Sequence, residues 1–497
     1  MAPSGSTHSG STHSGVVFPA VDGKRSTSAL GRAVVADALR GVDPVGAQAA
    51  ERETTWRQGY LAHFRRMVEA GLLRDGDAAV DVARAGLESL HARMLATTPD
   101  GEVPVAELFA AGDGAALETA TVRGTGDRAT ELSLPFHGTR LRGDALHRQL
   151  DDWSARGILE PSAAEAVRTV MANPDWLDLS DHRLVVLGAG AEMGPLRAVL
   201  SWGGDVIGID LPRPDIWKRV LEVAGASAGT LHLPVQRGSI WSAGDLATHA
   251  GADLLHGLPA VADWLTGLSG PLVLGNYVYA DGATNVRVST AVDALSAELL
   301  GRRDDVALAF LATPTDVFAV PAEAVEQSTR NYRNPSAAMR LARPAVRTVS
   351  GGRLLRRNYA PGSEPGINDS LVAQQGPNYA LAKRLQRWRA TVARREGVTV
   401  SLNVAPPTRT RSVVKNRALA SAYAGAHRFG IEVFEPATSN TLMAALLVHD
   451  LRTSSEPTTP WREEARGAVH GGLWRTAYAP RSALGLAVVI GLGSART

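Results

Sequence analysis

The sequence predicts an α/β protein in which a doubly wound, mostly parallel sheet follows a mainly helical N-terminal part. Three observations support this prediction. Apolar residues recur at helical spacing before residue 178, short β-branched runs alternate with helical stretches from residue 183, and the first of these runs ends in a glycine-rich turn. Alternating strands and helices form a parallel sheet that helices cover on both faces.

The chain has 497 residues, of which 44% are hydrophobic and 21% charged, and its formal net charge is +2. This composition is typical of a folded protein with two or three domains. No block of like charges indicates nucleic acid, and no apolar run is long enough for a membrane span. The chain has no cysteine, which excludes disulfides and thiolate metal sites. We expect a soluble, cytoplasmic protein with a small-molecule substrate and no nucleic-acid, membrane or metal partner.

The N-terminal part is predicted in two segments. Residues 1–25 repeat Ser-Thr-His-Ser-Gly without the charged and apolar segments of a signal peptide, which predicts a disordered leader. Apolar spacing then predicts two helices between residues 52 and 95 and, after a polar, glycine-rich passage, a second helical pair between residues 144 and 171. We assign residues 26–178 to a mainly helical domain in which no spacing indicates catalysis.

A strand, a glycine turn and a helix open the alternating part. The strand over residues 184–187 enters a turn containing Gly188, Gly190 and Gly194, and a second strand, over residues 205–209, ends at Asp210. Glycines let the backbone approach a pyrophosphate, and an acid after the second strand accepts hydrogen bonds from ribose hydroxyls. The pattern predicts a Rossmann-like fold with a nucleotide-type cofactor. It leaves NAD and S-adenosylmethionine open, because enzymes of both kinds use this arrangement.

The alternation continues to the C-terminal third of the chain. Strands are predicted over residues 271–276, 306–312 and 398–404, with helices over residues 286–300 and 379–396 between them. An insertion at about residues 317–372 is too long for a simple loop and is either a surface insertion with short helices of its own, or a lid or subunit contact. We assign residues 179–497 to the Rossmann-like, dinucleotide-binding domain.

Tyr379 and Lys383 stand four residues apart at the head of a predicted helix and therefore share one helix face. A neighbouring ammonium lowers the pKa of a phenol, so the tyrosine can give or take a proton near neutral pH. The chain has 8 tyrosines and four lysines, so this spacing is rarely met by chance. The pair predicts acid/base chemistry between an alcohol and a carbonyl.

After this helix, a strand leads to Asn403, Pro406 and Thr408. The order of glycine turn, acid, Tyr-x-x-x-Lys helix and a strand leading to proline and threonine resembles a divergent short-chain dehydrogenase/reductase, whose order ends in Asn-x-x-x-Pro-Gly and Thr, from residue 184 to the C-terminus. The resemblance implies an NAD(P)-dependent oxidoreductase that interconverts an alcohol and a ketone or aldehyde. It assigns Tyr379 as the general acid/base and Lys383 as the residue that lowers its pKa and binds the nicotinamide ribose.

The resemblance also assigns a cofactor site and allows a homo-oligomer. Asp210 favours NAD, because a carboxylate repels a 2′-phosphate, while nearby Arg213 leaves NADP as an alternative. Pro406, Thr408 and Thr410 are expected beside the nicotinamide. The full set of expected cofactor-site residues is Gly188, Gly190, Gly194, Asp210, Asn276, Pro406, Thr408 and Thr410.

The chain departs from the family pattern at three places. Glu192 stands where the middle glycine of the first turn belongs, and its carboxylate is expected to repel a pyrophosphate. The catalytic serine is missing from its usual position, so its hydroxyl is expected from one of three residues. The usual Asn-Asn-Ala-Gly segment is replaced by one containing Asn276, a candidate for structural or proton-relay support. The three hydroxyl candidates are Thr313, Thr315 and Ser370.

Two other functions remain open. In an S-adenosylmethionine-dependent methyltransferase-like protein, the glycine turn and Asp210 would hold the methyl donor, and Tyr379 with Lys383 would be incidental; Glu192 favours this hypothesis. In a noncatalytic Rossmann-fold scaffold, the chemistry would be lost; the insertion and the altered glycines favour that one.

Overall fold

The computed structural model describes residues 14–111, 116–454 and 458–494. Its central feature is a seven-stranded sheet with the order β7-β6-β5-β2-β3-β4-β1, in which β1 is antiparallel to β4 and all other neighbours are parallel. The strands are β1 (Leu117–Arg123), β2 (Arg183–Leu187), β3 (Asp205–Ile209), β4 (Thr230–Gln236), β5 (Leu272–Asn276), β6 (Val306–Ala312) and β7 (Val400–Val404). The predicted α/β class is thus observed, and the sheet is consistent with a Rossmann-like fold.

Helices cover both faces of this sheet. In chain order they are α1 (Thr27–Arg40), α2 (Pro44–Glu51), α3 (Trp56–Gly71), α4 (Ala78–Arg93), α5 (Gly143–Arg156), α6 (Pro161–Ala172), α7 (Leu196–Ser201), α8 (Pro214–Gly225), α9 (Leu246–His249), α10 (Leu258–Thr266), α11 (Gly282–Arg302), α12 (Ala322–Arg333), α13 (Ala337–Val349), α14 (Pro377–Arg395), α15 (Arg411–Lys415), α16 (Arg417–Ala426), α17 (Pro436–Arg452), α18 (Pro460–Arg466) and α19 (Pro480–Ser494). Within the described ranges, none of these helices is both long and apolar enough to cross a membrane.

The central strands follow from their composition. Strands β2 and β5 are short apolar runs, and every residue of β5 is buried. Strands of a parallel sheet are covered on both faces, so they are apolar throughout rather than alternating. Helix α14 begins at Pro377, where the ring costs no hydrogen bond, and ends just before Gly397, whose φ is +83°.

Strands β1 and β4 were not predicted. Strand β1 lies in the passage that the sequence indicated as polar and glycine-rich, and it pairs along its whole length with β4, with Ala120 opposite Leu233. Ala120 is its one fully buried residue among the seven, because β1 forms an edge of the sheet. A half-exposed edge strand lacks the continuous apolar run that marked the central strands.

The predicted disordered leader needs correction after residue 13. Residues 1–13 lie outside the described residues. Val16–Val17 pairs with Leu95–Thr98, and Ala20–Val21 forms a hairpin with Lys24–Arg25. Val16, Val17 and Phe18 are buried, so their apolar side chains explain why this segment is ordered.

The N-terminal helices pack directly on the part of the chain that carries the sheet. A Cβ atom at Gly86 of α4 would lie 2.4 Å from the Trp388 ring of α14, so only glycine allows this approach. Asp293 of α11 accepts hydrogen bonds from His91 of α4 and Arg389 of α14. Each of the two large hydrophobic cores contains residues that precede residue 178 in the sequence and residues that follow it.

The insertion is anchored by a buried two-stranded sheet. Val317–Val320 pairs antiparallel with Gly366–Asp369, and Phe318 packs against Trp474 with ring centroids 5.3 Å apart. Helix α12 has one buried side, whereas α13 has no buried residue and lies at the surface. A role for the insertion as a lid or subunit contact stays a prediction.

Candidate active site

A cleft of about 1330 Å³ opens at the carboxyl ends of the parallel strands. The chain order runs outward from β2 through β3 to β4 and then outward from β5 through β6 to β7, so β2 and β5 flank the point where the order reverses. Open α/β sheets bind ligands at this point. All residues that the sequence assigned to the site line the cleft except Gly194.

The glycine turn and Asp210 are joined by hydrogen bonds. Asp210 Oδ2 accepts from the Gly190 amide at 2.8 Å, and its Oδ1 accepts from the Leu211 amide at 2.8 Å. Burial raises the pKa of Asp210, and the two amides only partly oppose the rise. Gly188 has a φ of +88°, and a Cβ atom there would lie 3.0 Å from the Tyr277 carbonyl oxygen. The turn is therefore tight, and its acid sits on the wall of the cleft.

Gly194 has a packing role. A Cβ atom at this position would lie 3.5 Å from Val186 and 3.6 Å from the Tyr277 ring. Its carbonyl oxygen accepts a hydrogen bond from the Asn440 side chain. Gly194 thus packs beneath the turn and is not among the residues that line the cleft, and its role in cofactor binding stays a prediction.

Glu192 is paired rather than free. Its Oε2 accepts from the Arg411 amide at 2.8 Å, and its Oε1 lies 2.9 Å from Arg411 Nε. The negative charge beside the glycine turn is therefore countered by a guanidinium from the segment that follows β7. This ion pair offsets the charge of Glu192, and repulsion of a pyrophosphate by its carboxylate stays a prediction.

Tyr379 reaches the cleft from the first turn of α14. Its ring lies edge-on to the Tyr279 ring with centroids 6.3 Å apart, and Thr313 lines the same cleft. Burial raises the pKa of Tyr379, and the Thr313 hydroxyl opposes the rise. The sequence predicted that Lys383 lowers this pKa; in the structure burial raises it, and the ammonium of Lys383 is directed to other groups.

The ammonium of Lys383 is held by protein groups. Its Nζ donates to the Leu311 carbonyl at 3.2 Å and to Gln386 Oε1 at 3.0 Å. Gln386 Nε2 in turn donates to Asn276 Oδ1 at 3.2 Å. Burial lowers the pKa of Lys383 to about 8, so the group titrates near neutral pH. Asn276 is therefore linked to Lys383 through Gln386, a residue that the sequence did not single out although it lies one helical turn after Lys383.

The three candidate hydroxyls differ in their partners. Thr315 Oγ1 accepts from Gln375 Nε2 at 2.6 Å and lies 2.9 Å from Thr313 Oγ1. Ser370 is buried and donates to Asn368 Oδ1 at 2.6 Å. Thr313 is the candidate whose hydroxyl lowers the pKa of Tyr379.

The segment after β7 forms the far wall. Thr408 donates to the Pro406 carbonyl at 2.8 Å and lies 2.6 Å from the Ser439 hydroxyl. Its hydroxyl therefore holds the loop in shape. The Thr410 hydroxyl is 3.0 Å from Ser412 Oγ and lies in an exposed setting. The loop brings Pro406, Thr408 and Thr410 to the same cleft as Tyr379.

Comparisons with known proteins add little to this geometry. No family model matches the chain, and no curated protein matches it. A solved structure of a thiolation-reductase di-domain from an archaeal non-ribosomal peptide synthetase is similar at 11% identity, over 56% of this chain and 54% of that chain, with a TM-score of 0.27. A likeness this distant carries no argument about function.

Proposed function

We propose that the protein is an NAD(P)-dependent oxidoreductase of the short-chain dehydrogenase/reductase type that interconverts an alcohol and a ketone or aldehyde. One observation carries the proposal: the side chains of Tyr379 and Thr313 line the same cleft as the glycine turn and Asp210. An acid/base phenol and a nucleotide-type cradle thus face the same space, as hydride-transfer chemistry requires.

The residues present suit a dinucleotide. Asp210 accepts one amide on each carboxylate oxygen, which leaves lone pairs for ribose hydroxyls. Gly188 and Gly190 expose backbone along the cleft, and Pro406 with Thr410 is proposed to border the nicotinamide. When bound, the dinucleotide would supply or accept a hydride at the carbinol carbon. NAD is favoured over NADP, because the Arg213 guanidinium is already paired with Asp215 at 2.9 Å.

The side chains of the protein transfer the proton. In the reducing direction Tyr379 donates its hydroxyl proton to the carbonyl oxygen, and in the oxidising direction it takes the proton back from the alcohol. Its raised pKa keeps Tyr379 protonated at neutral pH, which suits the acid role. Thr313 positions the phenol and polarises the carbonyl. Lys383, held by Gln386, is proposed to contact the ribose from below.

The two other hypotheses are tested by the same experiment. Glu192, the residue that favoured a methyl donor, has its charge paired with Arg411. We would titrate the purified chain calorimetrically with NAD, NADH, NADP, NADPH and S-adenosylmethionine. Saturable dinucleotide binding is expected. Binding of the methyl donor alone would overturn the proposal, and binding of none would favour the scaffold.

A matched variant tests the chemistry. Tyr379→Phe keeps the ring and its contact with Tyr279 but removes the hydroxyl. We expect it to retain dinucleotide affinity and to lose turnover by about a thousandfold, since acid/base groups contribute on this order. Turnover at the wild-type rate would exclude Tyr379 as the acid/base.

A further inference from the structure

The cleft continues past Tyr379 into a second region, which we name the apolar arm. It is lined by helices α16 and α19 and by the chain before α17. Its principal side chains are Leu419, Ala422, Phe429, Ile431, Leu484 and Ala487.

The apolar arm differs in chemistry from the rest of the cleft. Among the described lining residues from Leu419 to Ala487, none carries a formal charge. The Thr476 hydroxyl is already used, because it donates to the Phe429 carbonyl at 2.8 Å. Among the charged lining residues, Arg213 and Arg219 lie with Asp210 in the segment after β3, and Lys415 is the last residue of α15, just before α16. A ligand group in the arm would find mainly hydrocarbon surface, with the hydroxyls of Tyr423 and Tyr478 as the polar groups beside it.

The wall of the arm is a tightly packed helix pair. A Cβ atom at Gly425 of α16 would lie 2.0 Å from the Ala487 carbonyl oxygen, and one at Gly491 of α19 would lie 1.9 Å from the Ser421 carbonyl oxygen. The two backbones are thus in direct contact, which only glycine permits. Two walls of the arm are therefore regular helices whose positions are fixed by close packing.

The arm shares its cleft with the reactive hydroxyl. Tyr423 of α16 is half-buried and lines the cleft together with Tyr379. The Tyr379 ring also meets the ring of Tyr279, another lining residue. The Tyr379 hydroxyl, the glycine turn and the arm therefore belong to one continuous cleft.

We propose that the apolar arm binds the hydrocarbon part of the substrate, so that the substrate is an alcohol or carbonyl compound with a large aliphatic or aromatic group rather than a sugar or a charged metabolite. The inference rests on the proposed function for the position of the reacting carbon. The cleft of about 1330 Å³ exceeds the roughly 300–1,000 Å³ of a usual ligand pocket, which leaves room for a second molecule beside a dinucleotide. In reduction the carbonyl carbon gains a hydride, its oxygen gains the Tyr379 proton, and solvent returns a proton to Tyr379.

The test is a series of straight-chain aldehydes from propanal to octanal with NADH and with NADPH. Burial of each methylene contributes about 0.8 kcal/mol, so kcat/KM should rise about fourfold per methylene until the arm is filled. Leu484→Asp places a carboxylate in the arm, and kcat/KM of this variant should no longer rise with the length of the aldehyde. Val489→Asp is the matched control. Val489 lies on the same helix, has 67% of its surface exposed and does not line the cleft. In this variant kcat/KM should rise with aldehyde length as it does in the wild type.

A binding measurement separates this inference from the proposed function. Calorimetric titration with 1-octanol and with ethanol, without any dinucleotide, should show tighter binding of 1-octanol that Leu484→Asp weakens at least tenfold, with circular dichroism confirming the fold of the variant. If 1-octanol binds but no dinucleotide does, the proposed function is wrong and the inference that the arm binds hydrocarbon groups is supported. Aldehyde turnover whose kcat/KM does not rise with chain length would overturn the inference. Equal affinity for 1-octanol and ethanol would also overturn it.

Discussion

Lys383 Nζ lies 3.0 Å from Oε1 of Gln386, and the side-chain nitrogen of the same glutamine donates to Asn276. The glutamine thus connects the lysine of the Tyr-x-x-x-Lys pair to the end of β5. It is buried and neutral, so it fixes the ammonium in place without supplying the charge that would favour the protonated form.

Gln386→Glu should raise the pKa of Lys383 from about 8 by about one unit or more, because a carboxylate beside the ammonium favours its charged form. Carbon-13 NMR of the reductively methylated chain measures this directly, since there are four lysines to resolve, Lys24, Lys218, Lys383 and Lys415. Gln386→Met is the neutral control and should not raise the pKa. An unchanged pKa in Gln386→Glu would show that the two side chains do not interact in solution.

Thr313→Val should lower kcat about 10- to 100-fold, because it removes the hydroxyl that we propose positions Tyr379 while preserving side-chain volume. The pKa of Tyr379 should also rise further, since the Thr313 hydroxyl opposes the effect of burial. Thr315→Val is the comparison, as its hydroxyl is occupied by Gln375. Steady-state rates of the two variants decide between the threonines, and a larger loss in Thr315→Val would reverse the assignment.

Arg411→Ala should weaken dinucleotide affinity about three- to tenfold, because it leaves the Glu192 carboxylate unpaired beside the glycine turn. Adding Glu192→Gln to this variant should restore affinity. Calorimetry on the wild type, both single variants and the double variant forms a complete cycle. Additive effects would mean that Arg411 acts on the cofactor independently of Glu192.

Asp293→Asn should lower the free energy of unfolding by about 3–5 kcal/mol at pH 7, because it leaves Arg389 buried without a charged partner. Burial would raise the pKa of Asp293, but Arg389 and His91 outweigh burial and lower it. The Asp293 carboxylate therefore makes its full contribution to the free energy of unfolding above about pH 4. This contribution is lost as the pH falls toward the lowered pKa of Asp293 in the folded protein.

Denaturant unfolding at pH 7 and at pH 3 measures the contribution of Asp293, and the gap between wild type and variant should narrow at the lower pH. The control is Glu131→Gln, which removes an ion pair with Arg142 in which both partners are more than half exposed. It should change the unfolding free energy by less than about 1 kcal/mol. Equal effects of the two variants would mean that burial adds nothing to the Asp293 cluster.

The central strands could be predicted from the sequence because burial on both faces leaves a recognisable apolar run. Strands β3 and β6 have the predicted limits, and the starts of β2, β5 and β7 differ by one or two residues. Strand β4 was missed because His232 and Pro234 interrupt its apolar run, and β1 because it is half-exposed. Edge strands owe their position to the partner strand, which local composition does not specify.

The location of the candidate site was also predictable, because the carboxyl ends of parallel strands meet at one edge of a sheet. The hydrogen-bond and ion-pair partners within the site were not predictable. Glu192 and Arg411 are separated by 219 residues, and no local pattern marks them as a pair. The choice among Thr313, Thr315 and Ser370 depends on which hydroxyl the surrounding fold already engages.

The pairing of β1 with β4 has a practical consequence for dissecting the chain. A fragment that begins at residue 179 would retain the other six strands but lose β1 (Leu117–Arg123). The seven residues of β4 that pair with β1 would then lose their neighbouring strand. An uncovered edge of this length is a template for intermolecular β-pairing. The shortest fragment that remains monodisperse should therefore start before residue 117, well inside the part of the sequence that its helical pattern assigns to another domain.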